Sequence, residues 1–184
     1  RCTYFGEAVL AGSTYMRDAA FQSSVYYGYA SLSSRCREHA DFSHCVYFSD
    51  MDMYDSQYRG YTDFTHCVYY GNANFGASSY EGTVSFSGST YLRNPTYKNR
   101  AAFSGSIFYQ EAYFGKDGNS NRSSRFLDRA SQFYDERNRK NTLFGSPDNN
   151  FSVENGRGYP IYRSLDGLPL VCCFLAEAEK EYLS

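Results

Sequence analysis

The chain has 184 residues and a formal net charge of −2 at pH 7, which allows one sizeable domain with an appendage and argues against a general nucleic-acid binder. No apolar run approaches the ~20 residues needed to span a bilayer, so no membrane span is expected, and Arg1-Cys-Thr-Tyr-Phe5 has no signal-peptide shape. With 20 Tyr, 15 Phe and no Trp, the apolar residues favour strands over a helical bundle, and the abundant Ser, Gly and Asn favour turns.

Five stretches in the N-terminal part read alike, beginning at Phe21, Phe42, Phe64, Phe86 and Phe103, with starts 21, 22, 22 and 17 residues apart. Two of them are nearly identical, Phe42-Ser-His-Cys-Val-Tyr-Phe48 and Phe64-Thr-His-Cys-Val-Tyr-Tyr70. Such a period marks a solenoid or array whose units bury their apolar faces against one another, with Phe42, Phe64, Phe86 and Phe103 expected to stack as one inward column. A finer period lies beneath it. A large apolar residue recurs every five or six positions from Phe5 through Leu10, Tyr15 and Phe21 to Tyr97, Phe103, Phe108 and Tyr113, failing only at Arg37. Two residues before these centres, 16 of 21 positions are small; the exceptions are Arg35, Met51, Val84, Pro95 and Glu111.

This pattern resembles the pentapeptide-repeat family, whose unit is small–polar–large–polar–polar, as in Ala40-Asp-Phe-Ser-His44, Ala73-Asn-Phe-Gly-Ala77 and Ala101-Ala-Phe-Ser-Gly105. The resemblance covers about residues 3–115. It implies a right-handed β-solenoid of four-sided coils, with the large residue and the small one before it pointing inward. Two departures stand out. The step alternates between five and six, giving about 22 residues per coil, and Tyr fills many centres, where a buried phenol needs a hydrogen-bond partner. A stack of β-hairpins with antiparallel pairing would give the same long period and is the alternative fold.

Residues 1–115 are therefore read as a β repeat domain and 116–184 as a C-terminal extension. Ser124 is placed to cap a helix near 124–138, with Phe126, Leu127, Ala130, Phe133 and Tyr134 at helical spacing. That stretch is basic: Arg122, Arg125, Arg129, Arg137, Arg139 and Lys140 outnumber Asp128, Asp135 and Glu136. A second helix is expected near 170–183, with Val171, Leu175, Ala178 and Tyr182 on one face. Both would cap or dock, since a solenoid's ends need covering.

Candidate chemistry is sparse. His44 and His66 are one repeat apart, as are Cys45 and Cys67, but adjacent strand residues face opposite ways, so no metal site is expected from them. Strand spacing also leaves a Cys45–Cys67 disulfide open. Asp50-Met-Asp-Met-Tyr-Asp55 lacks the Gly and closing Glu of a calcium loop, and residues 38–63, with six acids against Arg59, read as an acidic solvated face. Arg35-Cys-Arg-Glu-His-Ala-Asp41 interrupts the repeat and is read first as a bulged or looped corner. There Cys36, flanked by Arg35 and Arg37, is expected to be more nucleophilic than Cys45 or Cys67, and Cys2 has a similar flank in Arg1. Nucleophile-elbow, P-loop and dinucleotide motifs are lacking, so no enzyme is expected.

In its Tyr content and Arg-flanked cysteines the chain also resembles the gamma-type linker subunits of red-algal phycoerythrin, although such linkers are usually basic. That resemblance implies an open-chain tetrapyrrole (bilin) joined by a thioether to Cys36 or Cys2, its propionates paired with Arg35 and Arg37 and its pyrrole nitrogens donating to Asp41. The first expectation is a non-enzymatic structural or linker protein that binds partner proteins in a larger assembly and carries no cofactor. The alternatives are a bilin-carrying linker of a light-harvesting phycobilisome, in a plastid, and a secreted surface or ice-binding solenoid, against which the lack of a Thr ladder argues.

Overall fold

A computed structural model describes residues 1–92, 100–115, 123–135, 140–153 and 158–175. The chain winds as a four-sided β-solenoid, and each side is a ladder of very short parallel strands. The first face stacks Thr3–Tyr4, Val25–Tyr26, Val46–Tyr47, Val68–Tyr69, Thr90–Tyr91 and Arg125–Phe126. The second stacks Ala8–Val9, Ala30–Ser31, Met51–Asp52, Ala73–Asn74 and Ala101–Ala102. The third is the longest, with Ser13–Tyr15, Ser34–Cys36, Gln57–Tyr58, Ser79–Tyr80, Ile107–Phe108, Leu143–Phe144 and Cys173–Phe174. The fourth holds Ala19–Ala20, Ala40–Asp41, Thr62–Asp63, Val84–Ser85 and Ala112–Tyr113. Parallel pairing in all four ladders excludes the hairpin array, which needs antiparallel strands.

The alternating step has a structural cause. Val46, Met51, Gln57, Thr62 and Val68 begin successive strands, so the steps around one coil are five, six, five and six residues. The extra residue of each six-residue side is left-handed: Gly12, Ser23, His44, Asp55, His66, Ala77, Gly88 and Gly105 all have φ between 53° and 78°. The second coil is the exception that fits. Its side from Ala30 to Arg35 has five residues and no positive φ, which is why Val25 pairs with Val46 rather than with residue 47.

A left-handed residue interrupts the regular ladder and leaves polar backbone groups inside. The small residue that follows it satisfies them. Ser78 Oγ donates to Met53 O at 3.0 Å and accepts from Ser56 N at 3.1 Å. Ser106 Oγ donates to Phe75 O at 2.8 Å and accepts from Ser78 N at 3.2 Å. Ser89, Ser124 and Thr142 repeat the arrangement toward the carbonyls of Phe64, Phe86 and Phe103. Cys45 and Cys67 hold the same place, with their thiols 3.2 Å from Phe21 O and 3.1 Å from Phe42 O. At the five-residue corners the inward small residue is mostly Ala: Ala8, Ala19, Ala30, Ala40, Ala73, Ala101 and Ala112 are buried there.

Large side chains fill the interior as four columns. Tyr4, Tyr26, Tyr47, Tyr69, Tyr91 and Phe126 stack with ring centroids 4.6–5.1 Å apart. Phe21, Phe42, Phe64, Phe86, Phe114 and Phe151 form a second column. A third runs from Phe75 through Phe103 to Phe133, and a fourth takes Tyr58, Tyr80, Phe108 and Phe144. Three details differ from the sequence reading. Tyr4, not Phe5, begins its column; Phe114, not Tyr113, is the inward ring; and Phe103 lies in a different column from Phe42, Phe64 and Phe86.

The expected phenol partners are mostly absent. Tyr58 Oη reaches Ser34 Oγ at 3.4 Å. The hydroxyls of Tyr26, Tyr47, Tyr69, Tyr80 and Tyr91 are buried with no partner at hydrogen-bond distance; Ser24, Cys45, Cys67 and Ser78 are the polar side chains that interact with the first four, from too far for a full bond. Ring burial outweighs this: 150–250 Å² at ~25 cal/mol/Å² is roughly 4–6 kcal/mol per ring, against about 1–3 kcal/mol for an unmet hydroxyl.

The described residues of the C-terminal extension are strand and turn, not helix. Over 123–135, Arg125–Phe126 joins the first face, Gln132 bridges to Ala102, and Tyr134–Asp135 pairs antiparallel with Lys140–Asn141. Cys173–Phe174 joins the third face beyond Leu143–Phe144. The spacing of Phe126 and Phe133 is that of neighbouring inward columns, and Ala130, expected on their face, is exposed. The coils thus continue past residue 115 with a longer step; Ile107 pairs with Leu143, 36 positions on. Tyr97, Arg122, Glu136, Arg137, Arg139, Ala178 and Tyr182, with the remainder of both expected helices, lie outside the described residues.

Two substitutions test this account in urea melts. Ser78→Ala should cost ~1–3 kcal/mol by orphaning Met53 O and Ser56 N, and Ser78→Cys, which keeps a weaker donor, should cost less. Tyr69→Phe should stabilise by about 1 kcal/mol, because it removes an unmet hydroxyl and keeps the ring; a loss of stability would show that the hydroxyl has a partner. Alkaline pH gives an independent reading. Burial raises the phenols of Tyr26, Tyr47, Tyr58, Tyr69, Tyr80 and Tyr91 above their ordinary value of 10. A raised pKa favours the protonated phenol in the fold, so this contribution is full below about pH 10 and is lost as pH rises above it. Absorbance at 295 nm should show these phenols ionising together with unfolding.

Candidate interaction surface

On each first-face strand the residue after the inward ring points out. In the first four coils these residues are Phe5, Tyr27, Phe48 and Tyr70, exposed by 81, 48, 43 and 41%. Their rings stack at 5.5, 4.8 and 4.8 Å with interplanar angles of 5°, 4° and 16°. The result is a solvent-facing aromatic ridge parallel to the buried tyrosine column. The corner beside it is tight: a Cβ on Gly28 would lie 2.4 Å from Gly6 O, so adjacent coils approach there as only glycine permits. The equivalent corner of the third face carries Met16, Arg37, Arg59 and Glu81 instead. Arg59 Nε there meets Glu81 Oε2 at 3.5 Å, an exposed pair worth ~0–1 kcal/mol. Sequence reasoning did not single out the ridge, although a second large apolar residue follows the centre in Tyr26-Tyr27, Tyr47-Phe48 and Tyr69-Tyr70.

The cysteine site expected around residue 36 does not assemble. The repeat break is the one-residue-short side of the second coil, not a looped bulge. It brings Cys36 rather than residue 37 into the inward place, opposite Tyr15 and Tyr58 in the ladder. Cys36 is 1% exposed, and burial pushes its thiol up. Arg35 and Arg37 point outward and are exposed, and Asp41 lies on the fourth face. A thioether-linked bilin at Cys36 with propionates on these arginines does not fit this arrangement. Cys2 is exposed and precedes the first strand.

His44 and His66 occupy left-handed corners with rings stacked 4.9 Å apart, while Cys45 and Cys67 face inward, so the two pairs do not converge. No group of three or more metal-ligating side chains occurs among the described residues. All six cysteines are unpaired, and burial pushes the Cys67 thiol well up. The acidic stretch is divided between faces. Asp41 and Asp63 cap turns on the fourth face by accepting from Ser43 N and Thr65 N, and Asp52 does the same on the second for Tyr54 N. Asp50 accepts from Asn72 N at 2.8 Å. These carboxylates satisfy turn backbones instead of forming one acidic patch or a calcium loop. Among the described residues no helix is long and apolar enough to cross a membrane.

Brief alkylation of the native protein with peptide mapping should label Cys2 and Cys173, which are exposed, and spare Cys36, Cys45 and Cys67 until the protein unfolds. Rapid labelling of Cys36 would contradict its inward placement. No protein-family model, curated protein or solved structure matches the chain.

Proposed function

We propose that the protein is a non-enzymatic structural or linker element that binds partner proteins along the outside of its solenoid. The observation that carries this reading is the ridge of Phe5, Tyr27, Phe48 and Tyr70. Aromatic rings are enriched in the cores of protein interfaces. Four of them held in register on a rigid ladder lose little conformational freedom when a partner covers them. The interior supports the same reading, since stacked coils with a continuous aromatic core make a stiff rod that keeps outer side chains in fixed relative positions. The basic segment once expected to dock as a helix is not part of this proposal, because its described residues belong to the coils.

Size-exclusion chromatography of a native extract tests the reading. Wild type should elute within a larger assembly, and the triple variant Tyr27→Ser, Phe48→Ser, Tyr70→Ser should elute as a folded monomer with its melting temperature little changed. A wild-type monomer at every salt concentration would sink the proposal.

A further inference from the structure

At the C-terminal end the wall of the sixth coil and two loop segments enclose a cleft of about 460 Å³. Phe133, Ile161, Tyr162, Pro169 and Leu170 supply apolar walls. Phe133 and Ile161 are buried beneath it, whereas Leu170 remains 53% exposed at its side. Of the residues lining it, Arg100 alone is charged.

Arg100 is held in place by a chain of hydrogen bonds. Its backbone N donates to Asn72 Oδ1 at 3.0 Å, and its Nη1 donates to Gln132 Oε1 at 2.5 Å. Gln132 is fixed in turn. Its Nε2 donates to Tyr134 O at 2.8 Å, and its backbone completes the second-face ladder with Ala101 O at 2.9 Å and Phe103 N at 2.7 Å. Arg100 has no carboxylate partner among the described residues. A guanidinium has five N–H donors in a planar fork, and among the described residues one of them is used, by an amide. An arginine held in place, with no carboxylate partner among the described residues, beside an apolar cleft of this size matches the usual make-up of a small-molecule site: apolar walls and a few fixed polar groups.

We propose that this cleft binds a small apolar carboxylate, its carboxylate on the Arg100 guanidinium and its body against Phe133, Ile161, Tyr162 and Leu170. The site is separate from the aromatic ridge, which belongs to the first face. Arginine suits the carboxylate because the two planar groups can pair by parallel hydrogen bonds, and the apolar walls select against small hydrated anions.

2-Naphthoate and its neutral amide, 2-naphthamide, titrated calorimetrically into the intact protein, test this. The expected result is saturable one-site binding of the acid, at least ten-fold tighter than the amide and weakened by salt. Arg100→Gln should lower affinity for the acid at least ten-fold and leave the amide unchanged. Leu170→Asp, at a half-exposed position, should weaken the acid more than the amide. Equal affinity for acid and amide, or no saturable binding of the acid, would overturn the proposal. That wild-type comparison decides the matter even if a variant fails to fold.

Discussion

A parallel ladder places each coil about 4.8 Å above the last, and that spacing governs the remainder of the molecule. At this distance a side chain's principal neighbour is its equivalent one coil away. Flat rings stack face to face at nearly the same separation, as Tyr26, Tyr47 and Tyr69 do. The columns are therefore aromatic for a geometric reason. A solenoid with this step can bury Phe and Tyr at little rotamer cost and fill its interior without Trp or much Leu. Aromatic pairs contribute ~0.5–1.5 kcal/mol each beyond burial, and the contribution recurs from coil to coil along the first and fourth faces. The same spacing acts outside, where His44 stacks on His66 and Arg59 meets Glu81.

The second constraint is the corner. Five-residue steps keep ladder bonds intact and need only a small apolar residue inside. A six-residue step inserts a left-handed residue and exposes interior backbone groups, so the next inward residue must be able to hydrogen bond. That requirement divides the small slot into two chemical classes, alanine and hydroxyl or thiol. It also explains the repeated cysteines without a metal, a disulfide or redox chemistry: Cys45 and Cys67 stand where Ser78, Ser106 and Ser124 stand elsewhere and point thiols at the same type of carbonyl.

Much of this was written in the sequence. The alternating period, the parallel solenoid and the inward large residues were legible because an interior stack repeats its demands on every coil. The small inward slot was legible as well, but not its division into two classes, because Met51 and Thr62 stand in alanine places between Cys45 and Cys67. The facing of Cys36 was not, since one residue missing from one side shifts the register by one and turns every assignment on that side inside out. The C-terminal coils were hidden differently. The 36-residue step from Ile107 to Leu143 erases the period, although Phe126, Phe133, Phe144 and Phe151 still supply one ring per column. The cleft beside Arg100 could not be read from spacing at all, because its walls come from separate segments spread over about 70 residues of chain.

Stacking also determines what the proposed interaction ridge can offer. Rings that pack face to face spend their negative faces on one another and turn their edges to solvent. An aromatic edge carries the positive side of the ring quadrupole. The ridge of Phe5, Tyr27, Phe48 and Tyr70 therefore presents ring hydrogens and two phenol groups rather than flat platforms. Its best complement is a surface of carbonyl oxygens or aromatic faces, into which edges fit in the T-shaped manner already used between columns inside, where Phe64 meets Phe75 at 69°. A partner seated this way would read the coil spacing itself, since groups that match one ring edge must recur about every 4.8 Å to match the next. Extended backbone running along the solenoid axis does not repeat at that distance, whereas strands stacked in a ladder do, so a partner whose stacked strands cross the ridge fits it better than an extended peptide.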